Sequence, residues 1–316
     1  MKFKEFFSQF NIFGQCKKYN LPLWQCPNFL FLVMGLLIVS SSLLTYQIGN
    51  HYITDPQIVT LIVLLLTTVL MVLAFIITNS FERLAEASRM KSEFVSIVSH
   101  QLRAPLSNLR WVIDLLMSGR LGPIEEKQTE YFKLLKENSS RMRDLVSDLL
   151  VVSKIESATL PLNQEKFFLA EVVQNIIAQY NLFAKASNIE IKFDSGKALP
   201  QIFADQAQLR LVLENLLDNA IRYVREKGVI QISLAQKESK IYFEIKDSGV
   251  GIPKEDQKYI FRKFFRAKNV LRHQTQGSGL GLYIAKSIIE KSGGKIGFIS
   301  QEGQGSTFWF TVPIAR

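Results

Sequence analysis

The apolar positions of this chain repeat with three different periods, and each change of period marks a new kind of element. Phe29–Ile48 and Ile58–Ile77 are two nearly uncharged runs of 20 residues. As helices rising ~1.5 Å per residue, each is long enough to cover the ~30 Å hydrocarbon core of a bilayer. Farther on, Val95, Val98, Leu102, Pro105, Leu109, Val112 and Leu116 recur at alternating steps of three and four, the seam of a helix that packs on other helices. Gly119 and Gly122-Pro123 break that helix. A second helix is predicted from about Glu125 to Ile155, with Leu135, Asn138, Met142, Leu145, Leu149 and Val152 at the same steps. From about Leu160 the pattern alternates. Strands are predicted over Asn188–Phe193, Val229–Ala235, Ile241–Lys246, Lys295–Ser300 and Ser306–Val312, and helices over Ala170–Lys185, Asp205–Arg225 and Leu280–Ser292. The predicted order is a membrane α-hairpin, then an α-helical hairpin, then an α/β two-layer sandwich.

Flanking charge orients the membrane hairpin. Lys2, Lys4, Lys17 and Lys18 precede the first run, and Arg83, Arg89 and Lys91 follow the second. The link Gly49–Pro56 carries His51 and Asp55 but neither Lys nor Arg. By the positive-inside rule both termini are cytoplasmic, in a cell (inner) membrane protein with two spans. A tip of eight residues is too short to fold into a ligand-binding domain, so a stimulus is expected within the bilayer or from the cytoplasmic side. A cleaved signal peptide is not expected, because the first run lies far from the N-terminus and no small-residue cleavage site precedes the link. Phe3, Phe6, Phe7, Phe10 and Phe13 suggest an interfacial amphipathic segment against membrane lipid. The expected organisation is 1–27 cytoplasmic, 28–48 first span, 49–56 external loop, 57–78 second span, 79–158 linker helix and helical hairpin, and 159–316 α/β domain.

Asn79–Phe94 is charged, rich in helix formers and free of Gly and Pro, so the second span is expected to continue as one helix into the seam beyond it. Two antiparallel helices with one apolar seam each make a poor monomer; a homodimeric four-helix bundle buries both seams. Asn138, at a seam position, suits a register device. With Val95 at heptad position a, His100 falls at f, the outermost position, in water. An imidazole in water is largely neutral and nucleophilic near neutral pH. Pro105 removes a backbone N–H and crowds the carbonyl of Gln101, so a bend is expected just beyond His100.

Candidate chemistry gathers in the α/β half. Asp205 is a predicted N-cap, and Asn215, Asn219 and Arg222 share a face of the helix it opens. Two Asn among Leu211, Val212, Leu213, Leu216 and Leu217 run against helix propensity. Their amide oxygens suit a hard divalent cation with bound phosphate, or else they pair as surface amides. Asp247-Ser248-Gly249-Val250-Gly251 follows a predicted strand. Asp247 can accept from an amino group, and Gly249 and Gly251 let backbone approach a flat ring; alone, the motif also fits an ordinary turn. Gly277-Ser278-Gly279-Leu280-Gly281 opens a helix whose N–H groups and dipole favour phosphate. No dinucleotide-type βαβ unit surrounds it, which excludes a Rossmann site. Between the glycine clusters, Glu255–Gln276 carries Phe261, Arg262, Lys263, Phe264, Phe265, Arg266 and Lys268 and reads as a mobile basic lid over a triphosphate.

Composition narrows the partners. The formal net charge of +10 raises nucleic acid, but the basic residues are spread along the chain, several of them beside the spans, where anionic lipid favours them. No basic stripe interleaved with aromatics is present, so no nucleic acid is expected. Cys16 and Cys26 fall on the reducing cytoplasmic side without a His or Cys cluster, which gives no support to a disulfide or a thiolate metal site.

In this order the segments resemble a bacterial two-component sensor histidine kinase. The His100 segment is similar to its H box, Leu213–Tyr223 to its N box, Asp247–Gly251 to its G1 box, Tyr259–Phe265 to its F box, Gly277–Gly281 to its G2 box, and Gly305–Phe308 to its closing strand motif. The resemblance covers roughly Lys91 to the C-terminus. It implies a Bergerat ATP-binding fold that takes ATP and Mg²⁺. Asn219 would be the chief metal ligand, with Asn215 assisting at the phosphates and Arg222 contacting them. Tyr223 would flank the adenine, Asp247 would bind its amino group, Thr307 would support that site, and Gly249, Gly251, Gly277, Gly279 and Gly281 would shape the nucleotide pocket. A homodimer would phosphorylate His100 and pass the phosphoryl group to an aspartate of a cognate response regulator. Two positions depart from the family pattern. Gln101 stands where an acidic residue often follows the histidine; its amide can orient the imidazole but takes up no proton. Ala104 stands where Thr or Asn usually aids hydrolysis of the regulator's phosphoaspartate. The expectation is a kinase-biased protein with slow autophosphorylation and weak phosphatase activity. The rival readings are a membrane-anchored ATPase of the same nucleotide fold without a phosphohistidine, and a non-enzymatic membrane scaffold.

Overall fold

A computed structural model describes residues 27–157, 160, 162–196, 199–224, 227–267, 269 and 277–315. The expectations for residues 1–26, Cys16 and Cys26 among them, and for Lys268 and 270–276 lie outside the described residues. The chain divides into two compact units, Met1–Val98 with Glu156–Thr159, and Ser99–Ile155 with Leu160–Arg316.

The first unit holds helix α1 (Pro27–Tyr52) and the greater part of α2 (Pro56–Met117). Both are long and apolar enough to cross a membrane by length and composition. The link between them is shorter than the expected 49–56, because α1 continues past Ile48 to Tyr52. The Ile53 N–H still reaches the Gly49 carbonyl at 2.8 Å, which prolongs the last turn. Asp55 Oδ1 then accepts the Gln57 N–H at 2.9 Å, and Pro56 takes the first helical position, where its missing N–H costs nothing. Gly49 lies against Val59, and a Cβ there would stand 2.7 Å from Val59 Cγ1.

As the uninterrupted run of helix formers predicts, α2 is one helix of 62 residues, and it passes through Pro105 without a break in assignment. Its last part pairs with α3 (Glu126–Glu156), close to the predicted bounds. Lys136 Nζ meets Asp114 Oδ1 at 2.7 Å across this hairpin. Ser99 and Ile113 of α2 and Ser139 of α3 are buried, while Val152 of α3 joins the apolar core of the α/β part. Leu102, Leu109 and Val112 of the expected seam stay exposed, as do Leu135, Met142 and Leu145 on α3. The periodicity therefore marks a stripe beside the contact within the chain, which remains open on the hairpin's flank. Asn138 is exposed and donates to the Leu134 carbonyl of its own helix at 2.9 Å.

The rest of the second unit is two-layered. Strands β2 (Ile189–Asp194), β4 (Gly228–Lys237), β5 (Lys240–Asp247), β7 (Gly305–Pro313) and β6 (Lys295–Gln301) form one sheet in that order. β2 runs parallel to β4, and the other pairs are antiparallel. Helices α4 (Leu169–Ala186), α5 (Gln206–Tyr223) and α6 (Gly281–Lys291) supply the second layer. Alternation along β5 and β7 buries Ile241, Phe243, Ile245, Phe308, Phe310 and Val312 towards these helices, with Phe243 and Phe310 stacked at 4.6 Å between centroids. A short ribbon of β1 (Glu165–Phe167) and β3 (Ile202–Ala204) was not expected. Strands of three residues are too short for alternation to show.

The predicted cap at Asp205 is present and carries two contacts. Its Oδ1 accepts the Gln208 N–H at 2.9 Å, and its Oδ2 accepts the Asn163 N–H at 2.8 Å. The first satisfies an open donor of α5, and the second ties the segment before β1 to that helix. Asp205→Ala is expected to lower the stability of the α/β part by about 1–2 kcal/mol. The check is the midpoint of its cooperative thermal unfolding; an unchanged midpoint would show that both contacts are replaced by water at no cost.

Candidate functional site

Helices α5 and α6 and the loop after β5 enclose a cavity of about 640 Å³, within the range of small-molecule sites. The helical period of α5 sends Asn215, Asn219 and Arg222 to its wall. Asn215 Nδ2 is spent on the Leu211 carbonyl at 3.0 Å, which turns Oδ1 towards α6. A Cβ on Gly281 would come within 2.6 Å of that oxygen, so only glycine lets the first turn of α6 lie against it. Among the described residues, no group pairs with the Asn219 amide. Arg222 is held by Asp218 Oδ2 at 2.6 Å, and its guanidinium lies 3.7 Å from where a Gly277 Cβ would stand.

The start of α6 is unusual. It has no side-chain cap, and Gly277, Gly279, Gly281 and Leu282 line the cavity. Among the described residues no side chain caps its first N–H groups, and these with the positive end of the helix dipole border the cavity, an arrangement that favours an anion.

At the other end stands Asp247, the last residue of β5. Its Oδ1 accepts the Gly249 N–H at 2.8 Å and the Ser306 N–H at 3.2 Å, while the carboxylate contributes to the cavity wall. The carboxyl is buried, and desolvation raises its pKa above the ordinary 3.8 despite those two donors. Tyr223 lines the same end, and burial likewise raises its hydroxyl. The Tyr223 carbonyl accepts the Val250 N–H at 3.1 Å and lies 2.5 Å from where a Gly249 Cβ would be, so that loop is seated on the end of α5.

Two expected nucleotide contacts are placed differently. Gly249 acts through its N–H on Asp247 and is not part of the cavity wall. Thr307 is not on the wall either. It is paired in register with Lys246 and with exposed Ile299, on the opposite side of β7 from Phe308, which does line the cavity. Strand parity gives the supporting contact to its neighbour, through the Ser306 N–H. The described part of the expected lid is packed on the α/β core. Over its described residues 255–267, Ile260 and Asp256 are buried, and Phe261 and Phe265 pack on the core. Its cations lie over rings, Arg262 over Tyr259 and Lys263 over Tyr283.

Spacing alone had not singled out Tyr180, Asp218, Asp148 and Ser278, all on the cavity wall. Asp218 carried a usable signal, since Leu211, Asn215, Asp218 and Arg222 form one stripe at steps of four, three and four. Burial, followed by the nearby Asp218 and Glu214 carboxylates, pushes the Tyr180 hydroxyl up to about 12. His100 stands apart from this wall, exposed on α2 as its f position predicts, with Gln101 and Ala104 also exposed.

Comparison with known proteins follows the same division. Residues 204–316 match the family of histidine kinase-, DNA gyrase B- and HSP90-like ATPases. Residues 90–158 match the His Kinase A (phospho-acceptor) domain. The chain is 31% identical over 229 residues to the circadian input-output histidine kinase CikA of Synechococcus elongatus, an alignment covering 72% of this chain and 30% of that protein. It is 32% identical over 247 residues to the adaptive-response sensory kinase SasA of Synechocystis, covering 77% of this chain and 64% of the relative. Full-length ShkA, solved in complex with AMPPNP, superposes with a TM-score of 0.60 at 27% identity, covering 71% of this chain and 46% of that one. The chain thus spans under a third of CikA and under half of ShkA.

The raised Asp247 pKa has a testable sign. A carboxyl that holds its proton more tightly when folded leaves stability intact below 3.8 and costs stability as pH rises through its elevated value. Asp247→Asn removes that cost. Its melting temperature is expected to match the wild type in acid and to exceed it at neutral pH. Parallel melting temperatures at every pH would contradict the assignment.

Proposed function

The chain belongs to the histidine kinase family, and on that premise we propose that it is a membrane sensor kinase that phosphorylates His100 from ATP and passes the phosphoryl group to an aspartate of a response regulator. One observation carries the nucleotide part: the uncapped start of α6, the Asn215 and Asn219 amides and the Asp247 carboxylate all line one cavity. The adenine amino group would donate to Asp247, and Tyr223 would flank the ring. The triphosphate would lie along Gly277–Gly281 with Arg222 beside it. The residues present fit Mg²⁺, because the Asn219 amide is unpaired among the described residues and a hard cation accepts amide and phosphate oxygens together. When bound, that ion would neutralise phosphate charge.

The chemistry asked of the protein is positioning and charge stabilisation. The imidazole lone pair of His100 forms the N–P bond as the bond from the γ-phosphorus to the bridging oxygen breaks, releasing ADP. The second ring nitrogen then gives up its proton to solvent, which reaches the exposed ring. Gln101 can steer that nitrogen as a hydrogen-bond acceptor, but no proton is transferred to an amide, which favours slow turnover. Ala104 offers no hydroxyl or amide to a hydrolytic water, which biases the protein towards kinase activity.

The remaining assignments follow from charge and exposure. Exposed Leu102, Leu109, Val112, Leu135, Met142 and Leu145 suit a second copy, which would bury them in a four-helix bundle. The two long apolar helices, with Lys and Arg outside the Gly49–Pro56 link, suit a two-span anchor in the cell membrane with both termini cytoplasmic. By spacing alone the partition into 79–158 and 159–316 stays an assignment of this kind, and membrane lipid is the surrounding partner.

With γ-labelled ATP, the full-length chain is expected to acquire an acid-labile label that His100→Ala loses while still binding nucleotide. Asn219→Ala should lower the labelling rate by about 100-fold, the scale of losing one charge-stabilising contact. ATP hydrolysis without any label would favour the membrane-anchored ATPase, and a label that survives in His100→Ala would place the phosphoacceptor elsewhere. A separate outcome concerns the residue after the histidine. Gln101→Glu should speed labelling by about tenfold or more by supplying a proton acceptor; an equal or slower rate would show that the amide is no handicap.

A further inference from the structure

Ser278, between two cavity-lining glycines, makes a contact that nucleotide binding does not require. Its Oγ donates to Asp148 Oδ2 at 2.8 Å and accepts the Leu280 N–H at 3.1 Å. Asp148 lies on α3, 130 residues earlier in the chain. One hydroxyl thus links a carboxylate of the helical hairpin to a backbone N–H at the threshold of α6, where phosphate would bind. Asp148 itself lines the cavity, with Arg141 and Asp144 from its own helix and Glu214, Asp218 and Arg222 from α5. We propose that Asp148 is an internal anion lodged at the phosphate end of the cavity, which a polyphosphate displaces on binding, so that α3 lowers nucleotide affinity and is released from the glycine loop when the site fills.

Three features support displacement over a neutral structural role. The carboxylate is tied through the Ser278 hydroxyl to the loop whose N–H groups suit phosphate, so both bring negative charge to one helix start. Burial opposes its charge first, and the neighbouring Asp144 and Asp218 carboxylates oppose it further, against the Ser278 hydrogen bond that favours it. A triphosphate brought beside it adds like charge at short range in a partly desolvated space, where such repulsion is strong. The inference rests on the nucleotide reading and adds to it a coupling between the hairpin and the ATP site.

The test is calorimetric titration of the detergent-solubilised full chain with ATP, ADP, AMP and adenosine, each with magnesium. Asp148→Asn keeps the shape and an acceptor for Ser278 and removes the charge. It is expected to bind ATP about fivefold more tightly or better, ADP with a smaller gain, and adenosine unchanged. Ser278→Ala releases the carboxylate from the other side and should also tighten ATP, and adding it to Asp148→Asn should gain little, because both act through one contact. Unchanged or weaker ATP binding in both variants overturns the proposal. So does a gain for adenosine equal to that for ATP, since it would show that Asp148 shapes the pocket and not its charge. If the wild type binds none of the four ligands, the nucleotide reading fails as well; if all chains bind them equally, only the displacement fails.

Discussion

A carboxylate taken out of water needs donors, and the ones that meet Asp247 come from two places in the chain. Gly249 supplies an N–H from two residues on, and Ser306 supplies another from 59 residues on, through the β5–β7 pairing. That register puts Asp247 opposite Ser306, so the antiparallel ladder that builds the sheet also builds the floor of the site. The loop leaving β5 must then turn at once over the end of α5. Glycine is required where it does so, since a side chain at Gly305 would collide with the Asp247 carbonyl. With one oxygen of Asp247 saturated and fixed, the carboxylate can read a donor on a ligand without moving.

The far end of the cavity is built by a different rule. Strands cannot present a row of free N–H groups to a pocket within a sheet, but the first turn of a helix does so by geometry. α6 is a strongly packed helix, with Ile284, Ala285, Ile288 and Ile289 fully buried, so its uncapped start is held by burial farther along and not by a cap. α5 lies beside it with the same device reversed: Asp205 caps its start, and its later turns carry the polar stripe of Asn215, Asp218 and Arg222. The two helices divide the work, one offering backbone donors and the other side-chain amides and charge.

Much of this was legible in the residues, for reasons that can be named. Apolar period located the long helices and every strand of the main sheet within a few residues, because each has one buried face long enough to repeat. The Asn215–Asn219–Arg222 face and the glycine clusters were legible because they break local preference, as amides in a leucine-rich helix and glycines at a helix start. The β1–β3 ribbon was not, since three residues leave no period. Thr307, named by resemblance, lies off the cavity wall, and the neighbouring Ser306 gives its N–H to Asp247. Asp148 was invisible because nothing local distinguishes one Asp on a charged helix from a solvated one; only the folded chain sets it against Ser278. The exposed Leu102–Leu109–Val112 stripe shows the reverse limit, where spacing identified a sticky face but not which neighbour covers it.

The strongest argument for function is that the costly features coincide. A helix without a side-chain cap and an amide without a partner among the described residues, and a carboxyl that desolvation works against, each sacrifice stability, and all three border the same cavity. Scattered through the fold, they would be tolerable defects; gathered in one place, they are complementary to one polyanionic ligand with an amino-bearing ring. The Ser278–Asp148 bond fits this logic from the opposite side. The helix start favours negative charge, and the Ser278 hydroxyl that accepts the Leu280 N–H donates onward to an acidic residue of the hairpin, which places a carboxylate there. The match is incomplete, because the carboxylate sits among others of its own sign. A carboxylate held there by a single hydroxyl is weakly placed against a polyanion that would meet the helix N–H groups themselves.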